Sequence, residues 1–71
     1  MNVHNSFPLL MIWHAARELC ISRGCKPDEP ASGLYSTTNH EMAYRKLKLK
    51  MVAGRMLNPV ENAALEKAQE I

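Results

Sequence analysis

The sequence predicts an all-α domain of three helices, spanning about residues 8–23, 39–57 and 59–70, with a long Pro- and Gly-bearing loop after the first. Two observations predict it: apolar residues recur at helical spacing in three stretches, and side chains suited to helix ends stand at the boundaries between them. The first helix has Ser6 as N-cap, Pro8 near its first helical position and Gly24 where a left-handed residue ends a helix. At 100° per residue Leu9, Ile12, Trp13, Ala16, Leu19 and Cys20 share a stripe, and His14, Glu18 and Ser22 lie opposite. Leu10 and Ile21 widen that stripe beyond what one small core consumes.

Residues 25–37 hold Pro27, Pro30 and Gly33 among Ser and Asp, keep neither a helical nor a strand period, and read as a loop. A loop of this length is either draped over the core through Leu34 and Tyr35 or a functional or mobile segment, and its large apolar side chains favour draping. Thr38 and Glu41 form a capping box, so the second helix starts near Asn39 and runs to about Met56 or Leu57. Asn58, Pro59 and Glu61 repeat that signal and open the third helix after a very short link. The third helix gathers Val60, Ala63, Ala64, Ala68 and Ile71 on a thin face, with Glu61, Asn62, Glu66, Gln69 and Glu70 around the rest. Its acids are placed to meet the basic flanks of the second helix, within the molecule or between subunits.

The second helix carries two apolar stripes: Ala43, Tyr44, Leu47 and Met51 on one side, and Met42, Leu49, Val52, Ala53 and Met56 on the other. Either the first and third helices take one face each, or one face meets a second copy or another protein. The methionines suit an adaptable interface and also suit an irregular core. This helix also holds Arg45, Lys46, Lys48, Lys50 and Arg55 against the single acid Glu41. Such a run is what phosphate contacts require, but Lys46 and Lys50 project to one flank and Lys48 and Arg55 to the other, so no face gathers more than two or three cations. Basic side chains flanking two apolar stripes and reaching to water are the simpler account. Dimerisation would still be able to align Lys46 and Lys50 of two copies. Gly54, within the predicted helix, marks close helix contact or a break before Arg55.

With 71 residues, 46% of them hydrophobic and 23% charged, the chain is sized for one folded domain over residues 1–71. So small a core yields only about 3–5 kcal/mol, which argues for a staple, a partner or a twin. The net charge of +2 neither demands nor excludes nucleic acid. No basic signal-peptide start precedes the apolar run Phe7–Trp13, which is too short to span a bilayer, and a cytoplasmic location is expected. Cys20 and Cys25 are read as reduced thiols, since a bridge across a helix end would need its last turns to distort.

The inventory for chemistry is poor. Cys20, Cys25, His4, His14 and His40 are the candidate metal ligands, without a second ligand pair at zinc spacing, and no metal or other cofactor is expected. Cys20 or Cys25 with His40 would be a nucleophile and base, but no oxyanion-hole turn accompanies them. Cys20 is better read as a small buried hydrophobe and Cys25 as a residue of the helix-end loop. Asp28 and Glu29 are adjacent in a loop and do not face each other across a bond. Trp13 reads as a core anchor ahead of an interface residue.

The start Met1-Asn2-Val3-His4, the single helical domain and the ending Asn58-Pro59-Val60-Glu61-Asn62-Ala63-Ala64-Leu65-Glu66-Lys67 resemble the small accessory proteins of temperate bacteriophages and prophages. The likeness is one of size and texture over the whole chain and carries over no functional residue. It implies a non-catalytic protein that modifies host or phage regulation by binding a larger protein or nucleic acid.

The expectation is therefore a non-enzymatic, homodimeric binding or regulatory protein, without a membrane or small-molecule partner. Its contact surface is Met42, Leu49, Val52 and Met56, flanked by Lys46 and Lys50. The competing reading is a nucleic-acid-binding regulator in which Arg45, Lys46, Lys48, Lys50 and Arg55 position phosphates.

Overall fold

A computed structural model describes residues 8–31 and 33–70, apart from the side chains of Leu34 and Tyr35. It is a mostly helical domain with one small sheet, in the order α1 (Leu9–Ser22), β1 (Pro30–Ala31), β2 (Leu34–Thr38), α2 (Asn39–Val52) and α3 (Pro59–Gln69). All three helices expected from the apolar periodicity are present, with α2 shorter than expected.

Pro8 itself takes the N-cap position of α1, with extended backbone (φ −68°, ψ 153°) and no capping side chain. It stands before the first helical residue and not in the first turn, and the cap expected at Ser6 lies outside the described residues. At the other end Gly24 turns left-handed (φ 76°). Its N–H donates to the Ile21 carbonyl (3.1 Å) and the Cys25 N–H donates to the Cys20 carbonyl (2.9 Å). This bond pair is a Schellman motif, which satisfies carbonyls that the end of a helix leaves open.

The segment read as a structureless loop holds a hairpin. β1 and β2 pair antiparallel, Pro30 with Thr38 and Ala31 with Leu34, with an irregularity between the two pairs. Gly33, at φ 77°, supplies the left-handed residue of the tight turn. Ala31 and Thr37 are buried, so the hairpin is part of the core's edge. The draping expected of Leu34 and Tyr35 falls on side chains outside the described set. The preceding turn caps α2: the Glu29 carbonyl accepts the Asn39 N–H (2.8 Å) and the Pro27 carbonyl accepts the His40 N–H (3.0 Å). Of the capping box expected here only the Thr38 half is present: its hydroxyl accepts the Glu41 N–H (3.1 Å), while the Glu41 carboxylate takes Arg45, so the first three amides of α2 are all partnered by the chain that leads into it.

α2 ends at Val52, earlier than the periodicity suggested. Gly54 (φ 69°) is the terminator, and a second Schellman motif closes the helix: Gly54 N–H to Met51 carbonyl (3.2 Å) and Arg55 N–H to Lys50 carbonyl (2.9 Å). The link to α3 therefore covers residues 53–58 and includes Met56. The capping box at Asn58 and Glu61 is present in full.

The middle layer is α1, which packs against both α2 and α3. Ala15 and Ala16, fully buried, let the two neighbours approach the α1 axis closely. The main core joins Ile12, Ala15 and Leu19 of α1 to Leu47 and Met51 of α2, Leu57 of the link, and Ala64, Leu65 and Ala68 of α3. A second, smaller cluster joins Ala16 and Cys20 to Ala43. The buried face of α3 is rotated from the predicted one: Leu65 and Glu61 go inward, while Val60 and Ala63 are exposed. Glu61 fixes that rotation, because its carboxylate is held beneath the end of α2.

Candidate functional site: the outer face of α2

The two stripes of α2 have opposite fates. Ala43, Leu47 and Met51 are buried, whereas Leu49 is 70% and Val52 74% exposed. α3 does not cover this outer face, because α3 packs chiefly on α1 and its salt bridge to α2 runs through Lys50 and Glu61 near the helix end. Leu49 and Val52 line an open groove of about 530 Å³ with Tyr44, Arg45 and Lys48. Tyr44 belongs to both sides: it is half-buried, packs against both core clusters and forms one wall of the groove. Sequence placed it only on the core stripe, since a wheel assigns a residue one angle and a tyrosine spans two surfaces.

The four residues expected to form one contact strip are not all brought together. Met56 is 91% exposed but belongs to the link, because the helix has already stopped. Met42 is half-buried and lines a separate cleft with Cys20, Arg23, Cys25, Asn39, Ala43 and Lys46. Leu49 and Val52 remain as the pair that shares a surface.

The five cations are largely engaged. The Lys50 ammonium donates to both Glu61 carboxylate oxygens (3.0 and 2.9 Å). Glu61 Oε1 also accepts the Asn58 N–H (2.9 Å), and the residue is only 3% exposed. Burial pushes its carboxyl up, but the Asn58 amide and the Lys50 ammonium outweigh this and hold it below its ordinary value. Arg45 donates to Glu41 (2.9 Å), and the Lys48 ammonium sits over the Tyr44 ring, 5.8 Å from its centroid. Only Lys46 and Arg55 of the five have neither an acidic nor an aromatic partner among the described residues.

Beside the groove, α1 and α2 are joined by an aromatic stack that the sequence did not reveal. The His40 ring lies parallel to Trp13 (centroids 3.5 Å, 20°), and Tyr44 meets Trp13 edge-on (5.3 Å, 80°). His40 Nε2 stands 2.7 Å from the Trp13 carbonyl, which can only accept, so Nε2 carries the proton. Buried His40 is thereby committed to holding α1, and Trp13, 36% exposed, covers it from outside. The side chain expected to anchor the core is a half-open lid.

The remaining chemistry-bearing groups are dispersed. Cys20 is buried and donates to the Asn39 carbonyl (3.3 Å), while Cys25 is exposed, as their positions at a helix end suggested. Burial pushes the Cys20 thiol up. Among the described residues no three His, Cys, Asp or Glu side chains converge on a common point. No described helix is long and apolar enough to cross a membrane. Compared with known proteins, the chain matches no family model, no curated protein and no solved structure.

Proposed function

We propose that this chain is a non-catalytic binding protein that works by helix-mediated association, with Leu49 and Val52 of α2 as the centre of its contact surface. The observation that carries the reading is the pair of large aliphatic side chains left 70% and 74% exposed on the helix whose opposite face fills the core. Each would gain about 1.5–3 kcal/mol from full burial, and the intramolecular fold offers neither of them that burial. Tyr44, Arg45 and Lys48 around them give the rim the polar and aromatic character of protein interfaces. The occupant we assign is a second copy, in keeping with a core too small to be strongly stable alone. Regulation of a larger host or phage protein, as the resemblance to phage accessory proteins implies, would use the same surface.

Light scattering and circular dichroism on Leu49→Asp test this. The wild type is expected to be dimeric, and the variant monomeric with undiminished helical signal, because the new charge would be desolvated only in the dimer. A variant that keeps its helicity and the wild-type oligomeric state would overturn the assignment. Nucleic-acid affinity that falls steeply with salt would instead move the function to Lys46 and Arg55.

A further inference from the structure

We infer that Cys20 and Cys25 form a dithiol modification site, which an anionic low-molecular-weight disulfide oxidises to an intramolecular bridge. The inference is independent of the α2 surface. It begins with the turn that ends α1. In a Schellman motif the residue two past the C-cap folds back so that its N–H bonds to the carbonyl of the residue three positions before the cap, and contact between those two side chains frequently accompanies the bond. Those two positions are Cys25 and Cys20, and the Cys25 N–H already donates to the Cys20 carbonyl at 2.9 Å. The two backbones are thus already held together at this helix end.

Access is asymmetric in the way such chemistry needs. Cys25 is exposed and Cys20 buried, yet both line one cleft of about 140 Å³, so the two residues share one opening. Arg23 and Lys46 line that cleft too, and Lys46 has no acidic partner among the described residues. Two cations lining the cleft draw in an anionic oxidant such as oxidised glutathione. The Cys25 thiolate attacks one sulfur of the oxidant, breaking its S–S bond and releasing one thiolate. The Cys20 sulfur then attacks the Cys25 sulfur of the mixed disulfide, gives its proton to water and expels the second thiolate. Two protein thiols are oxidised and one external disulfide is reduced to two thiols. Closing the bridge takes the Cys20 S–H away from the Asn39 carbonyl, so the change is felt where α1 meets the start of α2.

The test is intact-mass spectrometry after incubating the folded, full-length chain with oxidised glutathione, followed by alkylation of remaining thiols. The expected product is a chain not covalently linked to another, lacking two hydrogens, carrying no glutathione and resisting alkylation, with Cys20 and Cys25 joined in one peptide. Cys20→Ser should stop at a stable glutathione adduct on Cys25. Lys46→Glu should slow the reaction several-fold with oxidised glutathione but not with the neutral hydroxyethyl disulfide. A wild-type chain that retains glutathione on Cys25 while Cys20 stays alkylatable, or that cross-links only between chains, would overturn the inference.

Discussion

The ends of α1 and α2 have the same backbone and opposite uses. In each, a glycine at positive φ follows the C-cap residue and two N–H groups turn back onto carbonyls of the last turn, with matching distances of 3.1 and 2.9 Å in one and 3.2 and 2.9 Å in the other. The residues whose backbones the motif joins differ. At α1 they are Cys20 and Cys25, beside Arg23 in an open cleft. At α2 they are Lys50 and Arg55, and Lys50 is held by buried Glu61 so that α3 is fastened beneath the helix. One glycine is enough to stop a helix; what the stop is used for depends on the two residues brought together over it. At α2 that use is structural, and at α1 the same frame presents reactive groups.

The largest effect should come from removing what makes the α2 end structural. Glu61→Gln keeps an acceptor for the Asn58 N–H but leaves the ammonium without its carboxylate. It should cost about 2 kcal/mol, read from the urea midpoint, because hydrogen bonds to buried charged groups are the strong ones. The pH dependence has a definite sign. A carboxyl held below its ordinary value in the fold contributes stability that is complete above the unfolded value of about 4.5 and is lost as pH falls through the lower folded value. The wild type should weaken on acidification below that point, and Glu61→Gln should weaken less steeply. A variant as stable as the wild type at neutral pH, with the same acid slope, would show that the α2 end is not fastened by this pair.

How much of this was legible beforehand follows from what each feature depends on. Thr38, Asn58, Glu61 and Gly24 act on amides and carbonyls within a few residues, so the caps, the α3 start and the α1 end could be read directly. Gly54 was legible as the same signal, but helical spacing continued past it through Met56 and pulled the expected boundary outward; an unbroken pattern does not outweigh a residue suited to φ 69°. The hairpin was missed because β1 has two residues and shows no alternation. Its available signal was Ser32-Gly33 followed by Tyr35, Thr37 and Thr38, a turn pair leading into strand-favouring side chains. At the candidate surface, the two-sided character of α2 was visible, and so was the option that one side stays open. The pairing of Lys50 with Glu61 and of His40 with Trp13 was not, since each joins residues 11 and 27 positions apart and depends on how the helices cross.

Removing the glycines tests what the ends share. Gly24→Ala and Gly54→Ala should each cost about 1–2 kcal/mol, the strain of placing an ordinary residue in the left-handed region. A Cβ at either position meets nothing within 4 Å, so no clash adds to this and the two values should agree. A clearly larger loss at Gly54 would mean that the stop there also positions Glu61, and that the two frames are not equivalent units.

The smallest effect is expected at the residue after each glycine. Cys25 and Arg55 are both exposed, and their part in the motif is played by the backbone N–H, which any residue except proline supplies. Cys25→Ser and Arg55→Ser should therefore change stability by no more than about 0.5 kcal/mol in reduced protein. Under oxidised glutathione the two variants should part: Arg55→Ser should still lose both thiols, and Cys25→Ser should not. If Cys25→Ser were instead as costly as a glycine substitution without any oxidant, the Cys25 side chain would already be part of the packing at the α1 end. The contrast between a structural end and a reactive one would then fail at its simplest point.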